Sequence, residues 1–374
     1  MEHITLSFPA SRTLSGKALA GVVGSGDMEV LFTAAIGDTL NIDITTSVDN
    51  STHRWNALFD RLNLINGLPA GTLIIHDFGA TPGVARIRIE QVLRRFPMRN
   101  DRSFIELRAR ERARTLLDQG SYRELLDPFA GMMSPWLAPQ GVVPQSDDGM
   151  VVARGTINGQ SAVVIAIEGT FQGGSMGEVS GAKMAAALEL AAEDNRNGIP
   201  TLAVLCLETG GVRLQEANLG LAAIADIHAA IVDLRRYTPV VGIIAGTVGC
   251  FGGMSIAAAL CSYLIVTREA RLGLNGPQVI EQEAGIEEYD SRDRPFIWSM
   301  TGGEIRYASG LVDALVGDGI DAVKSAMNEA IAKGVPAQHR SDKYADYLAR
   351  LTHFDTRQQA DTAQIKQLFA REVK

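Results

Sequence analysis

Apolar residues change their spacing along the chain, and the change outlines two regions that meet near residue 98. In the first region Glu29–Ala34 and Thr39–Thr46 read as strands, the latter with Leu40, Ile42 and Ile44 alternating with polar neighbours. Thr52–Leu64 sets Trp55, Leu58, Phe59 and Leu62 at helical spacing. Thr72–Ile75 and Val84–Ile89 read as further strands, and the strict alternation of Arg86-Ile87-Arg88-Ile89 predicts one wet face. These elements predict a small α+β domain over residues 1–97. Arg94–Asp101 is polar, contains Pro97 and reads as a linker.

Met98 opens a fresh pattern and a second domain, residues 98–374. Ser103-Phe104-Ile105-Glu106 has the form of a capping box and predicts a helix through Gln119. The arginines at 108, 110, 112 and 114, interleaved with acids, read as a solvated helix face. From Val151 onward strands at Val151–Ile157, Ala162–Ile167, Leu202–Leu207, Val240–Ala245 and Tyr263–Val266 alternate with helices. The helices are expected at Glu178–Asn195, Gln215–Arg236, Gly253–Leu260 and Val323–Lys333. Such alternation predicts an α/β domain with a buried sheet. Tyr237–Leu264 carries no charge and is long enough to span a bilayer, but Pro239 and five glycines interrupt it. A buried strand–turn–helix–strand fits it better. The tail from Asp342 reads as polar helices at the periphery or at an interface.

Composition narrows the function. The 374 residues are 46% apolar and 21% charged, as in soluble globular proteins with a full core. A net charge of −8 argues against nucleic acid as a partner. Cys206, Cys250 and Cys261 form no C-x-x-C pair and the six histidines form no H-E-x-x-H, so neither disulfides nor a metal are expected. Met1–Gly16 lacks the features of a secretory signal, which with the interrupted apolar stretch makes a cytoplasmic protein without membrane partners the expectation.

Chemistry concentrates in four glycine-rich turns. Gly24-Ser25-Gly26-Asp27 is a hairpin turn or an accessible hydroxyl flanked by residues with no side chain. Phe171-Gln172-Gly173-Gly174-Ser175-Met176-Gly177 matches the G-x-S-x-G elbow of serine hydrolases, but no later histidine is well placed as a base; His228 shares a helical face with Leu221, Ile224 and Ile231. Glu208-Thr209-Gly210-Gly211-Val212-Arg213 ends one buried strand, and Gly249-Cys250-Phe251-Gly252-Gly253 follows the next. Amides of two such turns can converge on one anionic oxygen, or the glycines can serve tight packing alone.

Phe171 to Glu178, Gly210-Gly211-Val212-Arg213-Leu214-Gln215-Glu216 and the Gly252-Gly253 turn resemble the carboxyltransferase branch of the crotonase superfamily. Within it, Ala245 to Met254 and Leu274 to Gln282 resemble the beta subunit of biotin-independent malonate decarboxylase. The first domain, with Val22 to Asp27 and His76-Asp77-Phe78-Gly79-Ala80-Thr81-Pro82-Gly83, is similar to the delta subunit of that enzyme, an acyl carrier protein. The chain thus looks like two subunits of one complex in a single polypeptide.

That resemblance implies a small α+β carrier followed by a crotonase-like core of ββα turns. It implies a 2'-(5''-phosphoribosyl)-3'-dephospho-CoA arm on Ser25, attached by a prosthetic-group transferase, with no biotin and no metal. It implies an alpha subunit that exchanges malonate for acetate on the arm, and a gamma subunit that completes the decarboxylation site. Malonyl thioester would lose CO2 to give acetyl thioester through an enolate, whose oxygen backbone amides stabilise. The amides expected to do so lie around Gly210, Gly211, Val212, Phe251, Gly252 and Gly253. Related enzymes often carry Gly-Gly-Ala-Arg where this chain has Val212, which keeps the amide and narrows the pocket. Glu178, Glu216 and Tyr307 are conceivable proton donors. The rival readings are a biotin-dependent carboxyltransferase and a carrier or scaffold without catalysis.

Overall fold

Alternating side chains put Ile75 between Val30 and Ile44, and Leu73 between Phe32 and Ile42, on adjacent strands; this buried face organises the N-terminal part of the chain. The computed structural model describes residues 1–11, 14, 16–24, 26–94, 103–352, 354–355 and 362–370. Ser25, His353 and nearly all of the expected linker, Met98 included, lie outside the described residues. Two units are distinguished, Met1–Asp101 and Arg102–Lys374.

The first unit runs β1 (Glu2–Pro9), β2 (Lys17–Gly21), β3 (Met28–Ala34), β4 (Thr39–Thr46), α1 (Thr52–Asn66), β5 (Gly71–Asp77) and α2 (Pro82–Arg94). Its sheet has the order β1-β4-β5-β3-β2, with β4 and β5 parallel and the other pairs antiparallel. Phe59 on α1 is fully buried, with its ring 5.7 Å from Phe8 and 6.5 Å from Trp55. Val84–Ile89, expected as a strand, lies within α2. Pro82 starts that helix, where its missing N–H is harmless. The buried positions are Ala85, Ile89, Val92 and Leu93, a helical spacing, whereas Ile87 is 57% exposed.

The second unit begins with α3 (Ala109–Leu116), β6 (Arg123–Leu125), β7 (Met150–Ile157) and β8 (Gln160–Ile167). It continues through α4 (Glu178–Arg196), β9 (Leu202–Cys206), α5 (Asn218–Leu234), β10 (Val240–Ile244), α6 (Gly253–Leu260) and β11 (Tyr263–Thr267). Then come α7 (Pro277–Ala284), α8 (Arg294–Thr301), α9 (Gly303–Ala308), β12 (Ala314–Val316), α10 (Ile320–Ala332), α11 (Tyr344–Leu351) and α12 (Thr362–Ala370). The sheet order is β12-β11-β10-β9-β8-β7-β6; β8 to β12 are parallel, and β6 and β7 complete an antiparallel edge. Both faces are covered. Ala203 and Leu205 of β9 pack in the core that includes residues of α4, α5 and α6, while Leu202, Val204 and Cys206 pack in the core of α3 and α10. This is an α/β core with a buried sheet, as the alternation of strands and helices predicts. The uncharged stretch forms β10, a turn, α6 and β11, and no helix among the described residues is long and apolar enough to cross a membrane.

The Ser103 box does not start a helix. Tertiary acceptors take the next amides, with Phe104 N–H donating to Asp318 O (2.7 Å) and Ile105 N–H to Asp318 Oδ1 (2.9 Å). The helix starts only at Ala109, with Glu111 accepting from Arg108 N–H. The expected solvated arginine face is also corrected: Arg112 is buried and Arg110 binds Glu124 and Asp147.

Removing the Phe59 ring leaves a cavity among Phe8, Trp55 and the sheet. Phe59→Ala is expected to destabilise the first unit by about 3–5 kcal/mol, read from amide hydrogen exchange of β3 and β5 in the full chain.

Candidate active site

The carboxyl ends of β8, β9, β10 and β11 lead into four segments that stay in register beyond the strands. Met176 pairs with Val212, Thr209 with Cys250, and Cys250 with Leu272, each as a single parallel bridge. The β9 and β10 turns therefore touch. A Cβ on Gly211 (φ +105°) would lie 3.0 Å from Phe251 O, and one on Gly252 (φ +60°) 3.3 Å from Gly211 Cα. Both positions need glycine for conformation and for approach.

These contacts decide which N–H groups are available. Gly210 N–H donates to Gly173 O (2.9 Å), Gly211 N–H to Thr209 Oγ1 (3.0 Å), Phe251 N–H to Thr209 O (3.0 Å) and Gly252 N–H to Leu274 O (2.7 Å). The expectation that the Gly210, Gly211, Phe251 and Gly252 amides are open to a ligand is corrected, because forming the turns engages them. Val212 and Gly253 carry N–H groups with no acceptor among the described residues. The bridge explains Val212: Met176 N–H donates to Gly211 O (2.7 Å), and Met176 O accepts Arg213 N–H (2.8 Å) rather than Val212 N–H. Val212 N–H therefore points away from that partner, as alternate groups along an extended segment do. Gly253 is the first residue of α6, where an N–H has no intrahelical acceptor. A Cβ built on Gly252 would lie 3.9 Å from Val212 N, so the two free donors flank one junction.

Buried charges brace the turns. Arg213 is 1% exposed; its Nη1 donates to Asp148 Oδ1 (2.6 Å) and Glu216 Oε1 (2.9 Å), and its Nη2 to Ser175 O (3.0 Å). Its guanidinium lies 5.2 Å from the Phe171 ring centre. Glu216 also accepts from Ser134 Oγ (2.7 Å) and Glu178 N–H (2.6 Å). Burial opposes its ionisation, but these donors outweigh burial and hold its carboxyl below the ordinary glutamate range. Glu208 is buried with Arg112 at 2.9 Å and accepts Val248 N–H (2.7 Å), which fixes the loop leading to Cys250. A Cβ on Gly246 would meet Glu208 Oε2 at 1.9 Å. A cleft of about 230 Å³ opens beside this loop, lined by Leu107, Arg108, Thr170 and Val248 among others. Cys250 is fully buried and its Sγ donates to Met254 O (3.2 Å).

The remaining candidates fall into place around this geometry. Ser175 Oγ donates to Gln172 O (2.8 Å), and among the described residues no histidine is bonded to it; His228 Nε2 instead meets Gly253 O at 2.8 Å. Among the described residues the elbow thus has no histidine in the place of a hydrolase base. Glu216 is a structural ligand of Arg213, Glu178 accepts from Trp136 Nε1 (2.6 Å), and Tyr307 lines a different cavity with Tyr263 and Lys333. Among the described residues no group of three or more His, Cys, Asp or Glu could hold a metal. In the first unit the two residues after Ser25 are held in place. Gly26 N–H donates to Phe78 O (2.9 Å), and the Asp27 carboxylate accepts Arg88 Nε (3.0 Å) and Nη2 (2.7 Å). Side chains built on Gly24 or Gly26 would meet nothing within 4 Å.

Comparison with known proteins covers both units. The carboxyl transferase domain family matches residues 106–363, and the malonate decarboxylase delta subunit family matches residues 15–96. The malonyl-S-ACP:biotin-protein carboxyltransferase of Malonomonas rubra is 40% identical over 243 residues, 62% of this chain and 76% of that protein. The malonate decarboxylase acyl carrier protein of Klebsiella pneumoniae is 86% identical over 92 residues, 25% of this chain and 93% of that protein. A chain of a Pseudomonas malonate decarboxylase hetero-tetramer, solved in complex with malonate, superimposes with a TM-score of 0.70 at 72% identity. It covers 71% of this chain and 97% of that one.

The Glu216 carboxylate yields a pH test. Its folded-state pKa lies below the ordinary 4.5, so its stabilising effect is complete above that value and disappears as acid protonates the folded form. Glu216→Gln is therefore expected to be less stable than the parent at neutral pH, with the gap narrowing below about pH 4.5, as followed by urea unfolding across pH.

Proposed function

This chain belongs to the carboxyl transferase family and joins a malonate decarboxylase acyl carrier to a beta-type decarboxylating subunit, and from that premise we propose how its two parts divide one reaction. Residues 1–97 present the acyl group, and residues 98–374 stabilise the charge formed when malonyl thioester loses CO2.

The carrier relationship implies a prosthetic group, and we assign it to Ser25 as a 2'-(5''-phosphoribosyl)-3'-dephospho-CoA arm. The open space at Gly24 and Gly26 fits a bulky substituent there. When attached, the arm supplies a terminal thiol that holds malonyl or acetyl as a thioester. The Asp27–Arg88 pair ties one end of the attachment loop to α2.

The observation that carries the catalytic half is the pair of unengaged N–H groups, Val212 and Gly253, on two touching turns. As the C–C bond breaks, negative charge moves to the thioester oxygen. Two preoriented N–H dipoles lower the energy of that charge without a titratable group, and one such donor is worth about 2.7–4 kcal/mol. Gly210, Gly211, Phe251 and Gly252 build the turns that aim them. The quenching proton comes from water or from the partner subunit, since Glu178 and Glu216 are engaged elsewhere. A gamma subunit completes this site, an alpha subunit reloads malonate, and a transferase installs the arm. The hetero-tetrameric state of the similar Pseudomonas enzyme supports several partners.

A second reading, transfer of the carboxyl group to biotin, is favoured by the Malonomonas rubra relative, whose name includes a biotin-protein acceptor. Turnover of the assembled complex that stops on addition of avidin would support it; turnover that continues supports direct decarboxylation.

Two variants separate the halves. Ser25→Ala is expected to abolish arm attachment, seen by intact mass spectrometry, while decarboxylation of free malonyl-CoA by the assembled complex persists. Gly253→Ala and Gly253→Pro both place a Cβ 2.8 Å from Ile224 Cγ2, but only proline removes the N–H. The proline variant is expected to turn over about 10²–10³-fold more slowly than the alanine variant; equal rates would exclude Gly253 N–H as a donor.

A further inference from the structure

Each free N–H belongs to a peptide whose carbonyl points the other way, because a trans peptide sets the two groups antiparallel. Whatever holds the carbonyl therefore aims the N–H. Behind Val212 N–H, Gly211 O accepts the backbone N–H of Met176 at 2.7 Å. Behind Gly253 N–H, Gly252 O accepts two donors from one residue: Ser255 N–H at 3.0 Å and Ser255 Oγ at 2.7 Å. The next peptide repeats the arrangement. Met254 N–H has no acceptor among the described residues, and Gly253 O meets His228 Nε2 at 2.8 Å. A carbonyl can only accept, so the His228 ring is the donor, from Nε2.

We infer that Ser255 and His228 are positioning residues for decarboxylation, acting through the carbonyls of Gly252 and Gly253 on the first two N–H groups of α6. This rests on the proposed role of Gly253 N–H. Two effects follow from the geometry. The side chains fix the peptide planes, so the N–H dipoles do not have to reorient as charge develops. They also withdraw electron density from each carbonyl oxygen, which polarises the opposite N–H, as donors do along a hydrogen-bonded chain. Close packing supports the same arrangement: a Cβ on Gly253 would lie 2.8 Å from Ile224 Cγ2, one turn of α5 before His228. Neither side chain touches the thioester in this account.

The experiment uses the assembled complex carrying Ser25→Ala, with free malonyl-CoA as substrate. Two affinities are measured beside turnover. One is for acetyl-CoA. The other is for a CoA thioether ending in a nitronate, whose anionic oxygens mimic the charged thioester oxygen. Ser255→Ala is expected to lower kcat and nitronate affinity by about 3- to 10-fold, the effect of one hydrogen bond. KM, acetyl-CoA affinity and Tm should stay unchanged, and Ser255→Thr, which keeps the hydroxyl, should restore both losses. A nitronate affinity unchanged in Ser255→Ala, or one that falls in parallel with acetyl-CoA affinity, would overturn the inference. Should Ser255→Ala fail to fold, His228→Leu against His228→Gln decides in the same way, with only leucine expected to weaken nitronate binding. A parent complex that releases no CO2 would instead overturn the decarboxylase site itself.

Discussion

A backbone N–H taken out of water needs an acceptor, and the turns after β9 and β10 find theirs where they touch each other and the neighbouring segments. The residues that a glycine-rich turn makes conspicuous, Gly210, Gly211, Phe251 and Gly252, are the ones whose amides hold the turns together. At the junction of the two turns this leaves Val212 N–H, on the far side of a single-bridge pairing, and Gly253 N–H, at the first residue of a helix, with Met254 N–H beside it. The proposed site is thus defined by what folding leaves over, and it depends on Met176, Thr209 and Leu274 holding the neighbouring amides and carbonyls in place.

Buried ions give that scaffold its rigidity. Arg213 ties the elbow at Ser175, the loop at Asp148 and the turn at Glu216 to one guanidinium, while Glu208 and Arg112 fix the loop before Cys250. Removing one member of such a set leaves an uncompensated charge in a dry interior, which costs about 3–5 kcal/mol. These charges do no chemistry in the proposed reaction. Their place in the same turns that carry the free amides is why the motif holds charged residues beside its glycines.

The parallel strands and their helices were legible because uninterrupted apolar runs such as Leu202–Cys206 and Val240–Ile244 have few alternatives. The turns were legible from their glycines and their resemblance to a known family. The allocation of amides was not, because hydrogen-bond direction depends on which segment lies alongside, and Met176 and Leu274 are remote in sequence from Gly211 and Gly252. Val84–Ile89 misled because four alternating residues mimic a strand when the burial period extends over Ala85, Ile89 and Val92. Arg112 misled because its partner Glu208 is 96 residues away. Ser255 and His228 carry no motif of their own.

Cys250 stands next to Phe251 in a place where an activated acyl group is proposed to pass. A thiolate there would attack the thioester, take the acyl group and strand it on the protein. Burial pushes the Cys250 thiol well above its usual range, and its hydrogen stays directed at Met254 O. Held protonated and out of reach of solvent, the sulfur acts as a small packing atom, and the turn can contain a nucleophile without hijacking its own substrate.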